Sequence, residues 1–174
     1  MVEERLISMI SVKDFRIEYY SEKQASYVRA DEQLNCPSCD SSDLIRKGWR
    51  SRKLITNMGS SLLFFIQRVR CKGCGKIHHV LPDTIVLYKR FDVKTIEAVI
   101  DGNPEQVLCE LEEQEVYRIK TWWRYMVRYI SKKASVVFVR KEIQISPEST
   151  LSTIVRTLAN THLWPGTRSV LVAV

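Results

Sequence analysis

The sequence predicts an α+β protein: an N-terminal strand segment and zinc-ribbon β-hairpin domain over residues 1–91, then a helical domain over 92–174 containing a helix-turn-helix. Three observations predict it. Two Cys-x-x-Cys pairs, Cys36/Cys39 and Cys71/Cys74, bracket a stretch rich in β-branched and aromatic residues. After Arg90 the apolar residues change from alternation to spacings of three and four. Charge comes in blocks: eleven basic against five acidic side chains over 31–91, one against seven over 92–113, and eight against one over 114–141.

Taken in order, ISVKDFRIEYY alternates as a strand does, with Val12, Phe15 and Tyr19 or their neighbours turned inward. DLIRKGWRSRKLIT and SLLFFIQRVR are suited to extended backbone, and NMGS between them supplies turn residues, so the two pair as a hairpin. FDVKTIEAVIDG reads as a helix with Asp92 as its cap and Val93, Ile96, Val99 and Ile100 on one face. PEQVLCELEE opens on Pro104, suited to a first helical turn, and groups Val107, Leu108 and Leu111. From about 114 to 133 a third helix carries a stripe of Val116, Ile119, Trp123, Met126, Val127 and Ile130. SPESTLSTIVRTLAN gives a last helix with Leu151, Ile154, Val155 and Leu158 inward. The apolar SVLVAV at 169–174 is expected to pack as a strand or helix, or to mark a truncated relative of something longer.

The two Cys-x-x-Cys turns have the spacing of a closed tetrahedral zinc site, in which each turn supplies two thiolates at about 2.3 Å from the metal. Cys36, Cys39, Cys71 and Cys74 are therefore the expected ligands of one structural zinc, and Gly73 and Gly75 are expected to give the second turn its positive φ. Four thiolates complete the shell, leaving no position for an activated water and no metal chemistry. A set of three cysteines with His78 is the alternative; otherwise one of His78 and His79 is expected to pack against the ribbon and the other to face solvent or phosphate. A redox pair is disfavoured because the motif occurs twice, at hairpin ends, rather than once at a helix start. Cys109 falls among apolar helix positions and reads as a small hydrophobe.

The net charge of +7 raises the expectation of a polyanionic partner. Lys47, Arg50, Arg52 and Lys53, with Arg46, line the first hairpin arm, and Arg68 and Arg70 the second, where they can neutralise phosphates. The short helix before residue 114 and the helix after it read as a helix-turn-helix. Arg118, Thr121 and Tyr125, with Glu115 or Lys120, would then face base edges, and Arg124, Arg128, Lys132 and Lys133 phosphates. The acidic block 92–113 should turn away from nucleic acid or toward a protein partner. No apolar run approaches the roughly 18 residues of a membrane span. The acidic start MVEERLISMI lacks a secretory pattern, so a cytoplasmic protein with reduced thiols is expected, in a bacterial or phage-infected cell.

CPSC, the basic hairpin, RVRCKGCGKIHHVLPDTIVLYKRF and YRIKTWWRYM together resemble a family of small bacterial proteins with a zinc ribbon and a helix-turn-helix. The same order is similar to the N-terminal zinc-binding and DNA-binding part of DDE-type insertion-sequence transposases. The resemblance covers roughly residues 1–170 and implies a mobile-element or phage context, with the four cysteines as metal ligands. The transposase nuclease needs a further domain with three separated carboxylates, and the ribbon and helices leave no room for one. The expected function is a non-catalytic, zinc-dependent double-stranded DNA-binding protein, a regulator or accessory factor; a homo-oligomer is compatible with it. The rival reading is a phage-borne inhibitor whose basic faces engage a host nucleic-acid-processing nuclease in the manner of an anti-CRISPR protein.

Overall fold

The protein is described from a computed structural model, in which residues 8–133 and 137–165 are placed; SVLVAV lies outside the described residues. Six strands, β1 (Ser8–Val12), β2 (Phe15–Tyr20), β3 (Ala25–Ala30), β4 (Leu44–Ile55), β5 (Ser61–Cys71) and β6 (Ile77–Pro82), form one mixed sheet. Among the described residues the main helices that follow are α1 (Val93–Ile100), α2 (Glu113–Lys133) and α3 (Leu151–Asn160). The order along the sheet is β1-β6-β5-β3-β2, with β4 paired to β5.

This corrects the expected architecture of a ribbon domain followed by a helix-turn-helix domain. The hairpin β4–β5 exists, but as part of a sheet that recruits the N-terminal segment. β1 runs parallel to β6, with Ser8 opposite His78 and Ile10 opposite Val80. β3 runs parallel to β5, with Tyr27 opposite Phe65. ISVKDFRIEYY is two strands rather than one, broken at the exposed Lys13 and Asp14, and Tyr19 is exposed rather than buried. The packing reason is that every residue of β1 is buried, so its backbone has to be paired in the interior.

The chain forms two compact units that are not contiguous in sequence. One holds the described residues of 1–53, 63–83 and 158–166; the other holds those of 54–62 and 84–157. In the first, Ile10, Val12, Val69 and Val80 make a buried cluster against which Phe15, Ala30, Leu34 and Leu44 pack. The outer side of β1 is closed by Asn160, whose Oδ1 accepts from Ser11 N and whose Nδ2 donates to Ser11 O, both at 2.8 Å. One carboxamide thus supplies both groups that a neighbouring strand would offer.

In the second unit Asp92 does two jobs. Its Oδ1 caps α1 by accepting from Thr95 N at 2.8 Å, and its Oδ2 accepts from Asn57 N in the hairpin turn at 2.9 Å. Residues 104–113 are not the expected helix. Pro104–Gln106 makes a single tight turn, Val107 is extended, and Leu108 N donates to Asn57 O at 2.7 Å. That tertiary hydrogen bond satisfies the backbone outside a helix and overrides local propensity. A helix-turn-helix requires two helices joined by a three- to four-residue turn. Here α1 and α2 are separated by residues 101–112, so they do not form the expected motif.

The buried face of α2 is Glu115, Ile119, Trp122, Met126 and Ile130, rotated by about one residue from the expected stripe. Trp122, rather than Trp123, is the buried indole, with Lys89 Nζ 4.6 Å from its ring centre. The rotation follows from Glu115. Its carboxylate accepts from Glu112 N at the helix start and pairs with Arg90, which brings position 115 inward. α3 buries Leu151, Ile154, Val155 and Leu158, the face its spacing predicts. Its start is capped by Thr150 Oγ1, and Glu97 of α1 accepts from Leu151 N at 3.1 Å. No described helix is long and apolar enough to cross a membrane.

Candidate metal centre

The two Cys-x-x-Cys turns sit where β5 ends and where the 31–43 connection enters β4, and they are built alike. In the first, Asp40 N donates to Cys36 O and Cys36 N to Ser41 O, both at 2.9 Å. In the second, Gly75 N donates to Cys71 O and Cys71 N to Lys76 O, again both at 2.9 Å. The residue after the second cysteine is left-handed in each: Asp40 at φ 59° and Gly75 at φ 75°. Gly75 matches its expected role, whereas Gly73 has another one. A Cβ on Gly73 would lie 3.3 Å from Ser41 Cβ and 3.4 Å from Cys39 Sγ, so Gly73 permits the close approach of one turn to the other.

The four sulfurs all lie within 4.8 Å of one another and could hold a metal ion. Cys36 and Cys74 are 3.6 Å apart and Cys39 and Cys71 3.5 Å apart, too far for disulfides. A tetrahedron with metal–sulfur bonds of about 2.3 Å has edges of about 3.8 Å, so the donor set fits such an ion with little movement. Each turn offers one buried sulfur, Cys36 or Cys71, and one exposed, Cys39 or Cys74.

Backbone N–H groups already point at the sulfurs. The amides of Ser38 and Cys39 bond Cys36, that of Ser41 bonds Cys39, and that of Cys74 bonds Cys71. The Cys74 amide draws the Cys71 thiol down to about 6, so it is an anion at neutral pH. Burial pushes the Cys36 thiol up to about 12, so it keeps its proton until a metal displaces it. Outer contacts tie the turns together: Lys76 Nζ to Ser38 Oγ at 3.3 Å, and Lys72 Nζ to the Asp43 carboxylate at 3.1 Å.

The histidines now separate. Neighbouring residues of a strand face opposite sides. His78 is fully buried with Nε2 3.2 Å from Cys36 Sγ, while the four-sulfur group is complete without it. Its ring therefore lies beside the four-sulfur group, within hydrogen-bond distance of Cys36. His78 Nδ1 and the hydroxyl of Ser8, its register partner on β1, are both buried with no hydrogen-bond partner. His79 is buried on the other side, in register with Arg68. Burial, then the charges of Arg50, Arg68 and Arg52, hold His79 down to about 4, so it is neutral at pH 7.

Residues 36–119 match a family model described as Domain of unknown function (DUF6431). The match opens on the first cysteine and contains both turns, the hairpin and the start of α2. No curated protein and no solved structure matches the chain.

The expected basic residues divide. Arg50 and Arg52 of β4 and Arg68 of β5 converge on His79 of β6. Neither Arg50 nor Arg68 forms a salt bridge among the described residues. Lys47 and Lys53 are exposed on the same arm, and exposed Arg70 also donates to Gly75 O at 3.3 Å, bracing the second turn. The arm is anchored by Trp49, which meets Tyr27 edge-on at 4.9 Å under the Arg29 guanidinium. Tyr27 in turn stacks on Phe65 at 4.8 Å.

The α2 residues belong to the other unit. Arg118, Arg124, Arg128 and Lys132 are exposed, but Lys120, Thr121 and Tyr125 are half-buried, and the Thr121 hydroxyl is buried and so cannot reach a base edge. Two features escaped sequence reasoning, Asp40 and Ser41, although both were legible in principle, because CPSCDS and CKGCGK place matching residues at matching offsets.

Proposed function

We propose that the protein binds nucleic acid, double-stranded DNA in the first instance, through the basic arms of β4 and β5 held rigid by one structural zinc. The observation that carries this reading is the convergence of Arg50, Arg52 and Arg68 around a neutral, buried His79. Collecting like charges is unfavourable in isolation, and a phosphate backbone relieves it by releasing condensed counterions. Arg46, Lys47 and Lys53 add further exposed positive charge along the same strand. Four sulfurs would leave the zinc no open coordination position, so its role is to clamp the turns at both hairpin ends and the reading includes no catalysis.

The test is fluorescence anisotropy of a labelled duplex with the zinc-loaded protein across a salt series. Affinity should fall steeply with salt, and Arg50→Gln with Arg68→Gln should reduce the slope of log affinity against log salt by about 0.9 for each phosphate no longer neutralised. Unchanged affinity and slope in the double variant would overturn the assignment. Cys71→Ser should remove both zinc and binding, since the arms then lose their clamp.

A further inference from the structure

Among the described residues the sheet has three strands with an unpaired side, and they are managed differently. β1 is buried and closed by Asn160. β4 carries Arg46, Lys47, Arg50, Arg52 and Lys53, so a second copy of it would be repelled, a common protection for an exposed strand. β2 has neither device among the described residues: it pairs only with β3, and Ile17 and Tyr19 on it are 60% and 65% exposed.

The sequence of β2, FRIEYY, is complementary to itself when run antiparallel about Ile17. In that register Ile17 meets the Ile17 of a second copy, Arg16 meets Glu18, Glu18 meets Arg16, and Phe15 meets Tyr19. Opposite-charge, apolar and aromatic pairs all fall directly across from one another, which are the pairings that stabilise antiparallel strands. The arrangement is two-fold symmetric, so one patch serves as both halves of the interface. Within one chain Glu18 already accepts from Arg16, Arg29 and the Tyr20 hydroxyl, which fixes its carboxylate on the polar face of β2 and leaves about one acceptor site of four. The remaining site can take one N–H of a further guanidinium.

We propose that two copies of this chain associate through the outer side of β2, continuing the sheet from one molecule into the other about a two-fold axis at Ile17. This is independent of nucleic-acid binding. Five residues a side make a small interface beside the ~1,200–2,000 Å² of stable complexes, so the dimer is reversible and concentration-dependent.

Sedimentation velocity of the zinc-loaded full chain, from about 5 µM to about 500 µM, tests it over the range where small interfaces assemble. The mass should rise from 20.3 kDa toward twice that value. Arg16→Glu alone and Glu18→Arg alone should each be monomeric, because like charges then face each other. An equimolar mixture of the two should recover the dimer, because each supplies the charge that the other lacks. If either variant fails to fold by circular dichroism, Tyr19→Lys, which leaves the ion pairs intact, should likewise be monomeric. A wild-type monomer at the highest concentration, or a dimer indifferent to these changes, overturns the proposal.

Discussion

His78 holds its Nε2 3.2 Å from the sulfur of Cys36, inside the sheet and apart from the four-sulfur group itself. Such a neighbour orients a ligand and tempers its charge. His78→Gln should therefore weaken metal affinity ~10–100-fold without abolishing it, the usual cost of removing an outer hydrogen bond to a ligand. Competition with a chromophoric chelator measures this, and an unchanged affinity would show the contact to be incidental.

Metal loading should release fewer than four protons near pH 7, since Cys71 is already ionised while Cys36 is not. Calorimetry in buffers of differing ionisation enthalpy counts them. A full four would mean that the Cys74 amide does not hold Cys71 as an anion.

The matched turns make a backbone prediction. Gly75→Ala should destabilise by ~1–2 kcal/mol, because a side chain is disfavoured at positive φ. Asp40→Gly, at the equivalent position, should be neutral or stabilising by ~0.5 kcal/mol for the same reason. Denaturant midpoints of the metal-loaded variants decide between them.

His79 makes stability depend on pH. Its folded value, about 4, lies below the unfolded value of about 6.5, so between these limits the unfolded chain binds a proton that the folded chain does not. Stability should therefore fall as pH drops from about 6.5 toward about 4, with roughly 1.4 kcal/mol per unit as the upper slope. His79→Gln should flatten the curve relative to wild type in parallel thermal melts.

Trp122→Ala should cost ~3–5 kcal/mol as a buried truncation, whereas Trp123→Ala should cost ~1 kcal/mol. Equal costs would place both indoles in the core.

The four-cysteine cluster, the β4–β5 hairpin, the inward face of α3 and most of that of α1 were legible from residue order, because each depends on neighbours a few positions apart: cysteines within one turn, NMGS between two extended arms, Leu151 and Ile154 on one face. Tertiary structure alone decided the rest. The pairing of Ser8 with His78, and of Tyr27 with Phe65, joins distant segments in parallel, and no local periodicity encodes such a register. The hydrogen bond from Leu108 to Asn57 removed an expected helix, and the Arg90–Glu115 pair turned α2 until Trp122 faced inward. Local spacing governs chemistry that closes within a turn; long-range pairing governs which of several comparable backbone conformations leaves the fewest buried polar groups without a partner.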